Sequence, residues 1–332
     1  MFADSKISCN FAPERSRHTS SQGECNTPGR FFITMRYTKQ AIPLVQQIDT
    51  LKQRGLIIDN ETEAERMLSL IGYFRLAEYW RVMEHDKVQH VFKPNSHFDN
   101  VLTLYRFDGE LKMCVFSAIQ KLEVAMRAKV IYHFSMKHGP FWFMDKELAD
   151  KPTQFEDNLE RLRTEVSRSY EDFIKEHFVK YDEPDMPPAW KTLEVASFGT
   201  LSKLYRNCND AEVKKRVADD FGIPAYKFLR SWMKSLTVVR NNCAHHSRLW
   251  NQRFPFAPKL PTKLMPRPWI TIQPQVLKSL YPNLCCIAYW LRSIDPQTTF
   301  VVDLKALLEK YPTVNPIAMG FPQGWQEEPL WQ

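Results

Sequence analysis

The sequence predicts an all-α protein. Apolar residues recur at three- and four-residue intervals through most of the 332 positions, and no stretch alternates apolar with polar residues for long enough to make a sheet. Gly55 and Gly139-Pro140 stand where periodic runs end, as helix stops do.

Leu44, Val45, Ile48 and Leu51 place a first helix over 38–54, with Gly55 at its C-cap. A second helix covers 61–70. The aromatic-dense segment from Ile71 to Trp80 reads as a helix docking its rings into the core, with a base-stacking surface as the alternative. Residues 85–94 make a polar connection. Asp99 is then expected to cap a long helix that ends at His138, where Gly139-Pro140 stops it. Val115, Ile119, Leu122, Met126 and Val130 form its buried stripe, flanked by Glu123 and Arg127. Helices follow over 153–167 and 170–178, and Pro184, Pro187 and Pro188 break the chain after them. Further helices cover 193–207, 211–220 and the run from Ala225 onward. The proline-rich stretch from Phe254 to Pro274 has no helical period and should be an extended strap. Helices over 275–294, interrupted at Tyr281-Pro282, and over 296–310 precede a tail containing proline, glycine and tryptophan. The expected organisation is a disordered extension over 1–34, a small helical subdomain over 35–96, and a larger helical domain over 97–332.

Composition excludes more than it assigns. A net charge of +7 favours an anionic partner without requiring one. Ten glycines among 332 residues, with neither GxGxxG nor GxxxxGK[ST], argue against a glycine-cradled nucleotide site. Seven cysteines, an odd number with no CxxC pair, argue against a disulfide framework and for a reducing, cytoplasmic location. No apolar run approaches the length of a membrane span. The extension carries Cys9 and Cys25, lacks the apolar core of a signal peptide, and ends just before Met35.

The densest chemistry lies in Arg240-Asn241-Asn242-Cys243-Ala244-His245-His246-Ser247-Arg248-Leu249-Trp250-Asn251, at the end of an apolar helical run. No packing requirement calls for two arginines, two imidazoles and three amides within twelve residues. Cleavage of RNA through its own 2′-hydroxyl needs a fixed cation on the phosphate and groups that move protons. Arginine supplies the first and histidine the second. Arg240 and His245, with four residues between them, are the candidate pair; Asn241 could orient them, and His246 or Arg248 could reach a neighbouring phosphate. Arg127 and His133, with five residues between them, are a second arginine–histidine pair at similar spacing, so spacing alone is a weak signal, and Glu123–Arg127 reads equally as an i,i+4 salt bridge. Cys243, His245 and His246 are too close together at a helix end to converge on zinc, and Ser247 has no nucleophile elbow, so neither a metal nor a cofactor is expected.

The motif resembles the RN.cAHH.RLWN signature of the Abi-like abortive-infection proteins (the AbiD/AbiF group) of the HEPN superfamily. Co-linear blocks extend the resemblance from about Tyr37 to the C-terminus. They are Gln47–Leu56, Tyr73–Trp80, Leu104–Leu111, Lys121–Arg127, Pro188–Gly199 and the tail around Met319–Pro322. The resemblance implies a HEPN-type helical bundle and a metal-independent endoribonuclease, an RNA-cleaving toxin acting in phage defence. Arg240 and His245 would be its catalytic pair, Asn241, His246, Arg127 and Glu123 would support them, and Arg248 would bind RNA. It further implies a homodimer, RNA as substrate, and a small noncoding RNA as a possible inhibitor. Whether His245 or His246 is the base stays open. The alternatives are a non-catalytic RNA-binding module and a helical scaffold for protein partners.

Overall fold

The computed structural model describes residues 40–332; the extension placed at 1–34, with its two cysteines, lies outside the described residues. Among the described residues, twelve α-helices stand beside a single two-stranded hairpin, so the protein is all-α as expected. None of these helices is long and apolar enough to cross a membrane. The chain divides into two compact units, one ending at Tyr105 and the other beginning at Arg106.

In the first unit, α1 (Leu44–Gln53) starts later than the apolar period suggests, because Pro43 stands at its N-cap and lacks an N–H to give. Asn60 caps α2 (Glu61–Ile71), its side chain accepting the Glu63 N–H at 3.0 Å. Gly72, at φ +90°, turns the chain directly into α3 (Tyr73–Trp80). The rings of Tyr79 and Trp80 are buried, as the docking reading expected, while Phe74 faces out. The connection over 85–94 is a hairpin of β1 (Glu84–Asp86) and β2 (Val91–Phe92). Asp86 makes its turn by accepting the N–H groups of Val88 and Gln89. Strands of three and two residues are too short to show alternation, which is why the sequence reads there as loop.

The boundary between the units falls inside α4 (Phe98–His138), a helix of 41 residues. Asp99 belongs to its first turn rather than capping it. The stripe of Val115, Ile119, Leu122, Met126 and Val130 is fully buried, and Gly139, at φ +80°, ends the helix where expected.

The second unit continues with α5 (Pro152–Ser167), α6 (Asp172–Lys180), α7 (Ala189–Thr192), α8 (Phe198–Asn207), α9 (Ala211–Asp220) and α10 (Tyr226–Ala244). It closes with α11 (Tyr281–Ile294) and α12 (Phe300–Lys310). The start of α8 is set by Ser197, whose hydroxyl accepts the Thr200 N–H, so residues 193–197 stay outside the helix. The break expected at Tyr281-Pro282 is the beginning of α11, since proline fits a helix only in its first turn. Every residue of α11 from Tyr281 to Leu291 is buried. Against it lies α10, joined at Ser235, which donates to the Asn283 side-chain oxygen at 2.7 Å.

The strap over 254–274 is not helical, as expected, and it is fastened to α10. Trp232 donates its indole N–H to the Lys259 carbonyl at 2.7 Å, and the Ser231 hydroxyl accepts the Lys259 N–H at 2.8 Å. Trp269 stacks on Trp232 at 5.9 Å between ring centroids and donates to the Pro261 carbonyl. Prolines remove the strap's own donors, so its carbonyls are satisfied by indoles instead.

The last turns of α4 are held to α9 by carboxylates. Asp220 pairs with Lys129 and lies 2.9 Å from the His133 imidazole; Asp210 pairs with Lys137 and lies 2.7 Å from that of His138. Asp210 also caps α9 through the Val213 N–H. Burial alone would raise the Asp210 carboxyl, but Lys137, the Val213 amide and His138 together hold it well below the usual carboxylate range. A depressed native pKa stabilises the fold fully above the unfolded value of about 3.9, and that contribution is lost as pH falls through and below it. Asp210→Asn keeps a capping oxygen and removes the charge. It should cost about 1–2 kcal/mol at pH 7 and flatten the stability loss below about pH 4, read from urea midpoints across the acid range.

Candidate functional site

Leu229, Trp232, Met233, Leu236, Val239 and Cys243 recur at helical spacing and form the buried face of α10. That phase leaves Arg240 half-buried on the flank and Asn241 exposed. The helix ends at Ala244 in a Schellman turn: the His246 N–H returns to the Cys243 carbonyl at 3.2 Å and the Ser247 N–H to the Asn242 carbonyl at 2.9 Å. His246 occupies the position that glycine usually fills, at φ +57°, a left-handed conformation that costs a side-chain-bearing residue roughly 1–2 kcal/mol. His245, the C-cap, and His246 are both exposed.

Beyond the turn, the backbone N–H groups of Leu249 and Trp250 both donate to Asp108 on α4, the first at 3.0 Å. Asp108 is completely buried and also pairs with Lys112 at 3.0 Å. Sequence reading missed this residue. The signal was there: Asp108 occupies the same stripe of α4 as Leu111, Val115 and Leu122, where an aspartate has no place unless something satisfies it.

A second carboxylate on α4 meets the motif itself. Buried Glu123 receives Arg127 at 3.2 Å through one oxygen and Arg240 at 3.5 Å through the other. Arg127 also donates to the Ala196 carbonyl at 2.9 Å and lies 4.0 Å from Glu194. The Arg240 guanidinium sits 5.7 Å from the Phe116 ring centroid. Its contact with Glu123 is an ion pair without a well-formed hydrogen bond. Side-chain exposure separates the two arginines, with 12% for Arg127 and 31% for Arg240. Arg127 is a structural tether, and Arg240 is the cation a ligand can reach.

The structure therefore brings Arg240, Glu123 and Arg127 together. It does not join Arg240 to His245: among the described residues no hydrogen bond or ion pair links them. Arg240 lies within the helix rather than in the coil after it, and five residues of α-helix turn the chain by about 140°. Arg248 is half-buried beside Gln252. His133 faces Asp220, whereas Arg127 faces Glu123, so that pair serves two different contacts. Cys243 is on the buried face, its thiol pushed up to about 12 by burial and by nearby Asp108.

Fold and site together define a helical protein that presents an arginine–histidine motif at a helix exit, clamped by two acids of one long helix. The chain belongs to the Abi-like protein family, whose sequence profile matches residues 66–251. The matched span runs from within α2 through Asn251 and includes both acids and the whole motif. Neither the curated proteins nor the solved structures contain a match to the chain.

Two stability predictions follow from this geometry. Asp108→Ala strips a buried acceptor from two amides and a lysine, and should cost about 3–5 kcal/mol by chemical denaturation. His246→Gly should be more stable than His246→Ala by about 1 kcal/mol, since both lack the imidazole and only glycine adopts the left-handed turn freely. Equal stabilities would mean that the turn carries no such strain.

Proposed function

We propose that this Abi-like protein is a metal-independent endoribonuclease of the HEPN type, an RNA-cleaving toxin in abortive-infection phage defence. The observation that carries the reading is the placement of Arg240. It is a guanidinium steadied by a buried carboxylate yet still accessible, five and six residues before two exposed imidazoles on the same chain segment. In the reaction, one imidazole takes the proton of a 2′-hydroxyl, and the 2′-oxygen attacks the adjacent phosphorus. The bond to the 5′-oxygen breaks, and that oxygen leaves with a proton from a second imidazole. Arg240 stabilises the charge on the phosphorane. Glu123 and Arg127 position Arg240, Asn241 orients the phosphate, and Arg248 contacts the strand further along. His245 is taken as the base; it lies on the same line along α10 as Asn241.

The divergence of about 140° between Arg240 and His245 supports a composite site in a homodimer, in which two motifs face one another across the scissile phosphate. The same divergence favours, as a second reading, a module that grips RNA phosphates without cutting, held with a small noncoding RNA. Cleavage separates the two. Purified wild-type protein in EDTA should cut RNA to 2′,3′-cyclic phosphate and 5′-hydroxyl ends. Arg240→Ala and His245→Ala should each slow the cut about a hundredfold or more. Arg240→Lys should recover only part of the loss, since an ammonium cannot bind phosphate through two parallel bonds. Wild-type cleavage rates in the His245→Ala protein would rule out the assignment.

A further inference from the structure

The second unit contains a cleft of about 580 Å³ between α5, α8, the first half of α10 and the strap. Six cations line it: Lys151, Arg206, Lys227, Arg230, Lys234 and Lys259, against the single carboxylate of Asp150. None of the six takes part in an ion pair among the described residues. The contrast with α4 is sharp, for there Lys112, Lys121, Lys129 and Lys137 each meet a carboxylate. Lys234 instead lies 3.5 Å from the centroid of the Phe256 ring. Burial, and then the like charge of Arg206, pull its ammonium below the usual lysine range. Six cations outside any ion pair converge on one cleft and repel one another, and the one carboxylate in its lining, Asp150, offsets only part of that cost.

The geometry of α10 says where the cleft leads. At about 100° per residue, Lys227, Arg230, Lys234, Val238, Asn241 and His245 all lie within about 60° of one line along the helix. Lys234 and His245 are about 16 Å apart along the axis. The basic cleft and the motif's exposed imidazole therefore share one face of one helix, the face opposite the buried stripe.

We propose that this cleft binds the sugar–phosphate backbone of a single RNA strand and delivers it along α10 to His245. The proposal builds on the ribonuclease reading above, and assigns strand binding to residues outside the motif. A base can stack on an exposed ring only when it is unpaired, which favours a single strand over a duplex. Phe256, which is 40% exposed, adds a ring on which a base can stack, and an acidic polypeptide would have no use for that ring. The strap matters because it brings Phe256 and Lys259 to α10, through the bonds of Lys259 to Trp232 and Ser231.

The test uses the full chain carrying His245→Ala, so that RNA stays intact, with a fluorescently labelled oligouridylate of roughly twelve nucleotides. Arg230→Gln with Lys234→Gln should weaken binding at least tenfold. It should also lower the slope of log affinity on log salt by about 1.4, for two phosphates of a single strand. Lys227→Glu, a change at an exposed position, should weaken binding in the same direction if the double variant proves unfolded by circular dichroism. Lys310→Gln, on α12, should change nothing. Affinity within twofold of the parent with an unchanged slope would overturn the proposal, as would displacement of the RNA by polyglutamate at equal charge concentration. The outcomes separate the two readings. If cleft variants lose RNA while His245→Ala still cuts, strand binding stands and the catalytic assignment falls. If His245→Ala is inactive while cleft variants bind normally, the reverse holds.

Discussion

The constraint on which the site depends is a buried carboxylate. Asp108 is completely enclosed, and an unpaired carboxylate there would cost several kcal/mol. Its charge is met by Lys112 and by two backbone amides, and those amides belong to the segment just beyond the motif. The chain after α10 therefore cannot drift without stripping a buried charge. Fifteen residues further along α4, about 22 Å of helix, Glu123 holds Arg240 and Arg127. One helix thus fixes the motif on both sides of the Schellman turn, and His245 and His246 are left exposed between two anchored points.

Strain and order are combined at this turn. A histidine takes the left-handed position where glycine would be easier, and the anchors on either side keep it there. The exposed imidazoles are consequently carried on a short, over-determined piece of backbone rather than on a loose loop. Such rigidity suits groups that must meet a phosphate in one geometry.

On its other face α10 is organised by aromatic donors. Trp232 and Trp269 stack, and both give their indole N–H groups to carbonyls of a strap whose prolines leave it unable to form regular structure. The strap then forms one wall of the basic cleft. The proline-rich strap is thereby a fixed wall of that cleft.

Much of this was legible in residue order. The buried stripe of α4, the stop at Gly139, the bounds of α9 and the non-helical strap all follow from periodicity, capping chemistry and proline, which act over a few residues. The density of arginine, histidine and asparagine at 240–251 marked the candidate site for the same reason, since an unusual local mixture is visible locally. The tertiary structure decided what depends on distant partners. It placed Asp108 under Leu249 and Trp250, split Glu123 between two arginines, one of them Arg240, and gathered six cations from four segments into one cleft. Electrostatic pairing joins residues up to 200 positions apart, as in Lys310 with Glu110, and neither spacing nor composition encodes which charges will meet.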